Sequence, residues 1–492
     1  MIKKRKLGYT LLAGGAAMVF FALISDYIGF GKPGIQSAQL LLIQFGALLS
    51  VVSIGFILSG AELEVSSLIN QLSSRILYSP ASTWVYFGFL IAYVLLFIIP
   101  VFFNSDRRID YLTRYIPEIM PVGRDLSFAT SGIKSWLSGN GFYLKDLNYP
   151  PLYAVVFSPF LLLTYPATYF VMTAITLFSM VVSSLFLPSI IVKNKDRAVL
   201  FFFFLTGIFS YGMQFEIERG QYNVFAFTLS FLAIYIFHFH YQFRHLAYLL
   251  LSVAIQIKLF PVFFLLMLVK SWRDWKGNML RFAGLGFFNV SLLFVLGYKT
   301  FIDFINTMEV LFGSVWTRPY NHSLASFVRE LTSTGLGVFD HNVVNILKEN
   351  SSLIKFLLIL YYLVCLVIIV GRAYKNNENS INLDLFVVCT IGAMVIPSLS
   401  IDYKLPILSP VMALALSYDM KNNNKARQVI KEILLIIVSL AYSYTLFSFV
   451  DRPVFLANCF PLFMIILTGI TCLNIVDERK FIRVESSNQL LT

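Results

Sequence analysis

The sequence predicts an all-α integral membrane protein with about twelve transmembrane helices. Of its 492 residues, 58% are hydrophobic and 13% are charged, about half the charged share of a typical soluble domain. The apolar residues form long runs, and Lys and Arg fall in short groups between them. The net charge of +12 therefore reflects the positive-inside distribution of membrane proteins rather than nucleic-acid binding.

Twelve apolar runs approach the roughly 20 residues that a helix needs to cross a bilayer. A basic cluster precedes the first run, and no small-residue cleavage site follows, which predicts an uncleaved first helix. The four cysteines lie in or beside apolar runs without metal-ligand or redox spacing, so we interpret them as packing residues. The runs are about 7–30, 38–60, 82–104, 166–192, 197–214, 222–241, 279–299, 353–371, 383–399, 404–419, 430–450 and 454–476.

Two apolar stretches do not fit a single crossing. The stretch 152–164 precedes Pro166 in a long run without charges, and we predict a half-embedded helix there. The stretch 246–269 has Lys258 and Pro261 at its centre and basic residues on both sides. If it returns to the side from which it enters, every basic connector faces the cytoplasm, whereas one crossing would move the later connectors outside. We therefore predict a re-entrant or strongly broken segment.

This topology places the polar loops on the outer face and both termini in the cytoplasm. Two long loops, about 104–151 and 299–352, face outward together with shorter corners at 214–223 and 402–404. The loop composition is typical of a bacterial protein, which predicts a multi-pass protein of the bacterial cytoplasmic membrane. Three parts are predicted: an N-terminal transmembrane hairpin (1–81), a catalytic membrane core (82–420), and a C-terminal transmembrane hairpin with a cytoplasmic tail (421–492).

Asp125 is the first candidate for chemistry. It opens the segment 125–137, which has helical apolar spacing and ends at Ser138 and Gly139, so it is predicted to start a surface helix. One interpretation is structural, because the helix dipole favours an acid in the first turn. The other is a reaction site held at the membrane surface.

The outward corner 214–223 is the second candidate. One interpretation is a solvated turn with an Arg–Glu ion pair, and the other is a substrate-binding corner between two membrane helices. Its candidate side chains are Glu216, Glu218, Arg219, Gln221 and Asn223.

Lys258 and two further outward groups complete the candidates. A lysine within a membrane segment is a functional hypothesis because its charge must pair or snorkel; Lys258 is predicted either to meet an anion such as a lipid phosphate or to snorkel to the headgroups. Arginine binds phosphate through a planar fork, and histidine exchanges protons near neutral pH. The second long loop offers Arg318, Asn321 and His322, and the last corner offers Asp402, Tyr403 and Lys404; an ordinary loop and a polar turn are the alternatives.

No cofactor is expected from the sequence. It contains no glycine-rich phosphate-binding loop, and its histidines and acids do not cluster at metal-ligand spacing. A membrane enzyme without a nucleotide site would take its activated group from a lipid.

The order of these motifs resembles the family 87 glycosyltransferases, polytopic enzymes of the GT-C fold. An acid in the first large outer loop is followed by five motifs in order, and the resemblance covers roughly 82–420. Two features depart from the family: an extra hairpin at 7–60, and His322 where a glutamine is common. The motifs are Gly-Asn-Gly-Phe-Tyr at 139–143, Tyr-Pro-Pro-Leu at 149–152, Gly-Gln-Tyr-Asn at 220–223, Ile-Lys-Leu-Phe-Pro at 257–261 and Asn-His-Ser-Leu at 321–324.

The resemblance implies transfer of a sugar, typically mannose, from a polyprenyl-phosphate donor to a lipid-linked or glycan acceptor outside the cell, with inversion at the sugar carbon. The other expected partners are membrane lipids, and no nucleic acid is expected. Asp125 matches the family's general base, and His322 is the second catalytic candidate. Three residues are expected to hold the donor phosphate because they are positively charged and are predicted to face outward: Lys258, Arg318 and Arg219. The expected substrate-binding residues are Tyr149, Gln221, Asn223, Asn321 and Glu218.

Two other classes of protein fit part of the pattern. A flippase or exporter of lipid-linked oligosaccharides would also have many spans and a charged cavity, and a glycan polymerase or ligase also uses polyprenol-linked sugars. A transporter should place charges at mid-bilayer in several helices. Here nearly all charges lie at loops, with Lys258 the main exception, which favours an enzyme.

Overall fold

The chain is helical throughout its described part, as the sequence predicts. Within that part there is no β-strand, and one isolated bridge joins Asn321 to Ile401. The predicted spans 38–60 and 82–104, most of the span 430–450, and Arg318 lie outside the described residues. The computed structural model describes residues 2–24, 123–143, 147–191, 197–208, 210–313, 321–337, 339–376, 381–417, 430, 433–435, 438 and 459–474.

Sixteen α-helices are described, and shorter 3-10 helices join several of them. The 3-10 helices are Ser158–Leu162, Tyr241–Phe243, Phe260–Met267, Gly335–Gly337 and Asp402–Ile407. The α-helices are α1 Ile2–Ile24, α2 Arg124–Leu137, α3 Leu152–Phe157, α4 Tyr165–Ile191 with a π-helical turn at Val182–Phe186, α5 Arg197–Ile208, α6 Tyr211–Arg219, α7 Asn223–Phe239, α8 Arg244–Ile257, α9 Trp275–Leu292, α10 Tyr298–Gly313, α11 Leu324–Thr334, α12 His341–Glu349, α13 Ser351–Lys375, α14 Leu383–Val395, α15 Leu408–Ser417 and α16 Phe460–Asn474.

Few helices in the described part of the chain have the length and composition of a membrane span. Among the described residues, α4 and α13 are long and apolar enough to cross a bilayer. The pair formed by α6 and α7 passes the same test only when taken together, and it bends by 107°. The expectation of about twelve transmembrane helices is therefore not confirmed.

Polar residues and a proline explain where two apolar stretches break. The predicted span 197–214 is wrong as one helix: α5 ends at Ile208, and the Ser210 hydroxyl accepts a hydrogen bond from Met213 N at 3.1 Å, which caps the new helix α6. The segment 246–269 is strongly broken, as expected. Helix α8 ends before Lys258, whose backbone is extended (φ −145°, ψ 140°), and a 3-10 helix follows with Pro261 in its first turn.

Aromatic side chains from α7, α14 and the 3-10 helix Phe260–Met267 form the centre of the core. The Phe386 ring of α14 lies 5.1 Å from Phe231, 6.1 Å from Phe227 and 5.7 Å from Phe264, measured between centroids. All four rings are buried. This packing holds α7 and the broken segment together, and both carry polar residues at one end.

Candidate functional site

Helix α2 starts at Asp125 to within one residue, as the sequence predicts. Contacts with α6 and α4 fix its start. Gly123 precedes the helix with φ 78°, in the left-handed region that glycine tolerates. Its N–H donates to the Glu218 carbonyl at 2.7 Å, and its carbonyl accepts from the Tyr165 hydroxyl at 2.8 Å. Asp125 therefore lies beside the end of α6, although the two are about ninety residues apart in sequence.

Three of the predicted site residues form one hydrogen-bonded chain. Gln221 Nε2 donates to Asp125 Oδ2, and Lys258 Nζ donates to Gln221 Oε1 at 2.7 Å. Gln221 is buried and Lys258 is partly buried, whereas the Asp125 side chain is 24% exposed. A buried amide thus joins a partly buried ammonium to a partly exposed carboxylate.

Arg219 lies near the other oxygen of the same carboxylate. Its Nη1 lies 3.9 Å from Asp125 Oδ1, and its Nε lies 3.4 Å from Glu218 Oε2. The Glu218 side chain is 2% exposed, so the solvated turn considered from the sequence is wrong, although the Arg–Glu pair is present. Two acids and two cations, Lys258 included, meet within this group.

Glu216 stabilises the 107° bend between α6 and α7. Its Oε2 accepts from Asn223 Nδ2 and its Oε1 accepts from Val224 N, both at 2.9 Å. It therefore satisfies N–H groups at the start of α7 from the preceding helix, in the manner of a side-chain cap. The sequence pointed to Asn223 as a substrate ligand, and its amide is engaged with this buried acid.

Tyr149 contributes a ring to the group through the loop before α3. The Lys258 ammonium lies 4.6 Å from the centre of the Tyr149 ring, which is within cation–π range. The Tyr143 hydroxyl donates to the Tyr149 carbonyl at 2.8 Å and fixes the loop. Burial raises the pKa of the Tyr149 phenol well above its usual value, so the hydroxyl stays protonated.

His322 and Asn321 lie in a second polar group around Asp402. His322 Nε2 lies 2.6 Å from Asp402 Oδ1, and both side chains are buried. Burial raises the pKa of the Asp402 carboxyl, and the hydrogen bond and charge of His322 oppose that rise. Within the described part of the chain His322 has no contact with Asp125, so its predicted catalytic role stays a prediction.

Backbone hydrogen bonds close this second group. Asn321 Nδ2 donates to the Ser398 carbonyl at 2.8 Å, its Oδ1 accepts from Ser400 N at 2.9 Å, and His322 N donates to the Ser400 carbonyl at 2.8 Å. The corner expected as a polar turn at 402–404 is a buried 3-10 helix instead, with Asp402 and Lys404 both inside the protein. The second group therefore joins two distant segments of chain.

No specific role followed from the sequence for three charged residues of the interior: Glu216, Asp402 and Lys404. Glu216 is fully buried, and Lys404 is 4% exposed, with its ammonium donating to the Ala393 carbonyl at the end of α14 and lying 4.7 Å from the Phe260 ring. Both stand in polar corners, where sequence alone favours solvent. The sequence carries no signal that separates them from solvated corner residues.

The described residues contain no group of three or more His, Cys, Asp or Glu side chains arranged to hold a metal ion.

A wider comparison identifies the family. The sequence profile of Glycosyltransferase family 87 matches residues 147–397, which is more than half of the chain. The chain belongs to glycosyltransferase family 87. It is therefore a glycosyltransferase and a membrane protein that uses a sugar donor and an acceptor. No curated protein and no solved structure matches it.

The family 87 match covers most of the residues that meet around Asp125. Gln221, Lys258 and Arg219 lie inside the matched range, and so does His322. Asp125 lies before its first residue, so its connection with the family segment rests on the contacts with Gln221 and Arg219.

Proposed function

We propose that this glycosyltransferase moves a sugar, with mannose the first candidate, from a polyprenyl-phosphate donor to a lipid-linked or glycan acceptor on the extracytoplasmic face. The observation that carries the proposal is the partly exposed Asp125 carboxylate, held beside two cations. A base and a cation close together are what glycosyl transfer from a phosphate donor requires. The predicted GT-C core at 82–420 belongs to the same proposal.

In the proposed transfer step the carboxylate acts on the acceptor and the cations act on the leaving phosphate. Asp125 takes the proton of the acceptor hydroxyl while the acceptor oxygen bonds to the anomeric carbon from the face opposite the phosphate. The bond between that carbon and the phosphate oxygen breaks, and polyprenyl phosphate leaves with the electron pair. Asp125 then releases its proton to water.

Cations stabilise the charge that appears on the leaving phosphate. Arg219 lies 3.9 Å from Asp125, and Lys258 is linked to Asp125 through Gln221. Arg318 is proposed to join these two cations. Asn321, Glu218 and Tyr149 are proposed to contact the sugars. Because Lys and Arg suffice for a monophosphate leaving group, the proposed step needs no metal ion.

A panel of donors tests this proposal. The full-length protein is reconstituted with polyprenyl-phosphate hexoses or nucleotide hexoses as donors, and with alkyl glycosides as acceptors. We expect turnover with polyprenyl-phosphate mannose and a product of inverted anomeric configuration, read by NMR. Turnover with nucleotide sugars in place of polyprenyl donors, no turnover with any donor, or a retained configuration would contradict the proposal.

A further inference from the structure

The side-chain amide of Gln221 lies between Asp125 and Lys258, and one orientation satisfies both neighbours. A lysine ammonium has three N–H groups and no acceptor, so the amide oxygen must face Lys258, and the two atoms lie 2.7 Å apart. The amide nitrogen then faces Asp125 and donates to its Oδ2. The two neighbours therefore fix which end of the amide faces Asp125.

We propose that Gln221 and Lys258 are positioning residues for Asp125: Lys258 fixes the direction of the Gln221 amide, and that amide holds the Asp125 carboxylate in place. This inference rests on the proposed role of Asp125 as the base. It assigns Lys258 a second task besides the donor phosphate. It also gives Gln221 a task other than direct contact with a sugar.

The backbone around Gln221 is built to hold this geometry. Gly220 adopts φ 63°, and a Cβ added to it would lie 2.8 Å from Leu126 Cβ, so glycine lets the bend between α6 and α7 approach α2 closely. Gln221 N donates to the Glu216 carbonyl at 2.9 Å. The amide is therefore fixed at its backbone as well as at both ends of its side chain.

Lys258 connects the base with the leaving group. Gln221 is its hydrogen-bond partner among the described residues, and its ammonium packs on the Tyr149 ring. One of its three N–H groups is used in this way, so two remain for the oxygens of a donor phosphate. A single side chain then faces the donor and fixes the base through one amide.

Methionine substitutions separate the two tasks of Lys258. Gln221→Met keeps the length of the side chain and removes both hydrogen bonds. We expect a fall in kcat of about 10- to 100-fold from loss of alignment, with an unchanged donor KM. Lys258→Met should lower kcat and also raise the donor KM. In the double variant kcat should fall by less than the product of the two single losses, because part of the effect of Lys258 reaches the base through the amide.

One further variant and one control test whether Gln221 positions Asp125. Gln221→Glu still accepts from Lys258 but cannot donate to Asp125, so kcat should fall at least as far as in Gln221→Met, again with an unchanged donor KM. Gln256→Met is the matched control: Gln256 is buried two residues before Lys258, and its amide donates to the Asn289 carbonyl at 3.0 Å. Its kcat should equal that of the unmodified protein.

The assay uses the full-length protein with the donor and alkyl glycoside that give the highest turnover, and Asp125→Asn is measured beside the other variants. Full activity of Asp125→Asn would overturn the proposed base. An inactive Asp125→Asn together with unmodified kcat in Gln221→Glu would overturn the positioning role alone. Losses of kcat that multiply in the double variant would show that Lys258 acts independently of Gln221.

Discussion

The group around Asp125 and the pair formed by His322 and Asp402 use the same chemistry in opposite surroundings. Each joins a carboxylate to nitrogen donors. The Asp125 side chain is 24% exposed, whereas the side chains of His322 and Asp402 are 2% and 0% exposed. A base must reach an acceptor hydroxyl, so access separates the two groups more clearly than residue type does. We infer that the buried pair braces the protein and that Asp125 performs the proton transfer.

Loss of the buried acid should have the largest effect on stability. In Asp402→Ala, His322 remains buried without its partner at 2.6 Å, which should lower the free energy of unfolding by about 3 kcal/mol. Thermal unfolding in detergent measures this as a lower Tm, while kcat well below that temperature should be unchanged. The control Asp340→Asn keeps an exposed helix cap. An unchanged Tm together with lost turnover would show that the buried pair takes part in catalysis.

A smaller effect is expected at the bend that carries Gln221. In Glu216→Gln, the amide oxygen can accept from one of the two donors, Asn223 or Val224, and the amide N–H groups face the other. We expect a loss of about 2 kcal/mol in stability and a reduced kcat. The control Glu330→Gln keeps its one hydrogen bond from the Thr334 hydroxyl. A Glu216→Gln protein with unmodified Tm and kcat would show that the bend does not depend on this acid.

The smallest effect is expected on the donor KM, from loss of the Tyr149 ring that contacts the Lys258 ammonium. Tyr149→Leu removes the cation–π contact, worth about 1 kcal/mol, which should raise the donor KM by up to about fivefold. Tyr149→Phe keeps a ring and should change the donor KM less. Equal donor KM values in the two variants would mean that the ring does not help to place the ammonium.

Some local features were predictable because short-range rules decide them. Helix α2 runs from Arg124 to Leu137, within one residue of the predicted segment, because Gly123 and the pair Ser138 and Gly139 interrupt the helix at each end. The break at Lys258 followed from a charge and a nearby proline in an apolar segment. These signals lie within a few residues of the structure that they determine.

Features that depend on long-range packing were not predictable. Spacing places Gln221 and Lys258 on separate segments, and their contact depends on how α6, α7 and α8 pack. Glu216 and Lys404 lie in polar corners, where solvent exposure is the usual outcome, yet tertiary packing buries both. The break of the predicted span 197–214 was missed for a related reason, since apolar composition marks a segment as buried without fixing one continuous helix.

The central claim is that Asp125 is the base, and the kcat of Asp125→Asn at saturating donor tests it most directly. The substitution keeps the shape of the side chain and removes its ability to take a proton. Asp274→Asn is the control, because Asp274 caps α9 by accepting from Gly277 N at 3.1 Å and asparagine caps equally well. We predict a kcat about 10²- to 10⁴-fold lower than that of the control, with unchanged donor KM and Tm. A kcat equal to that of the control would contradict the account.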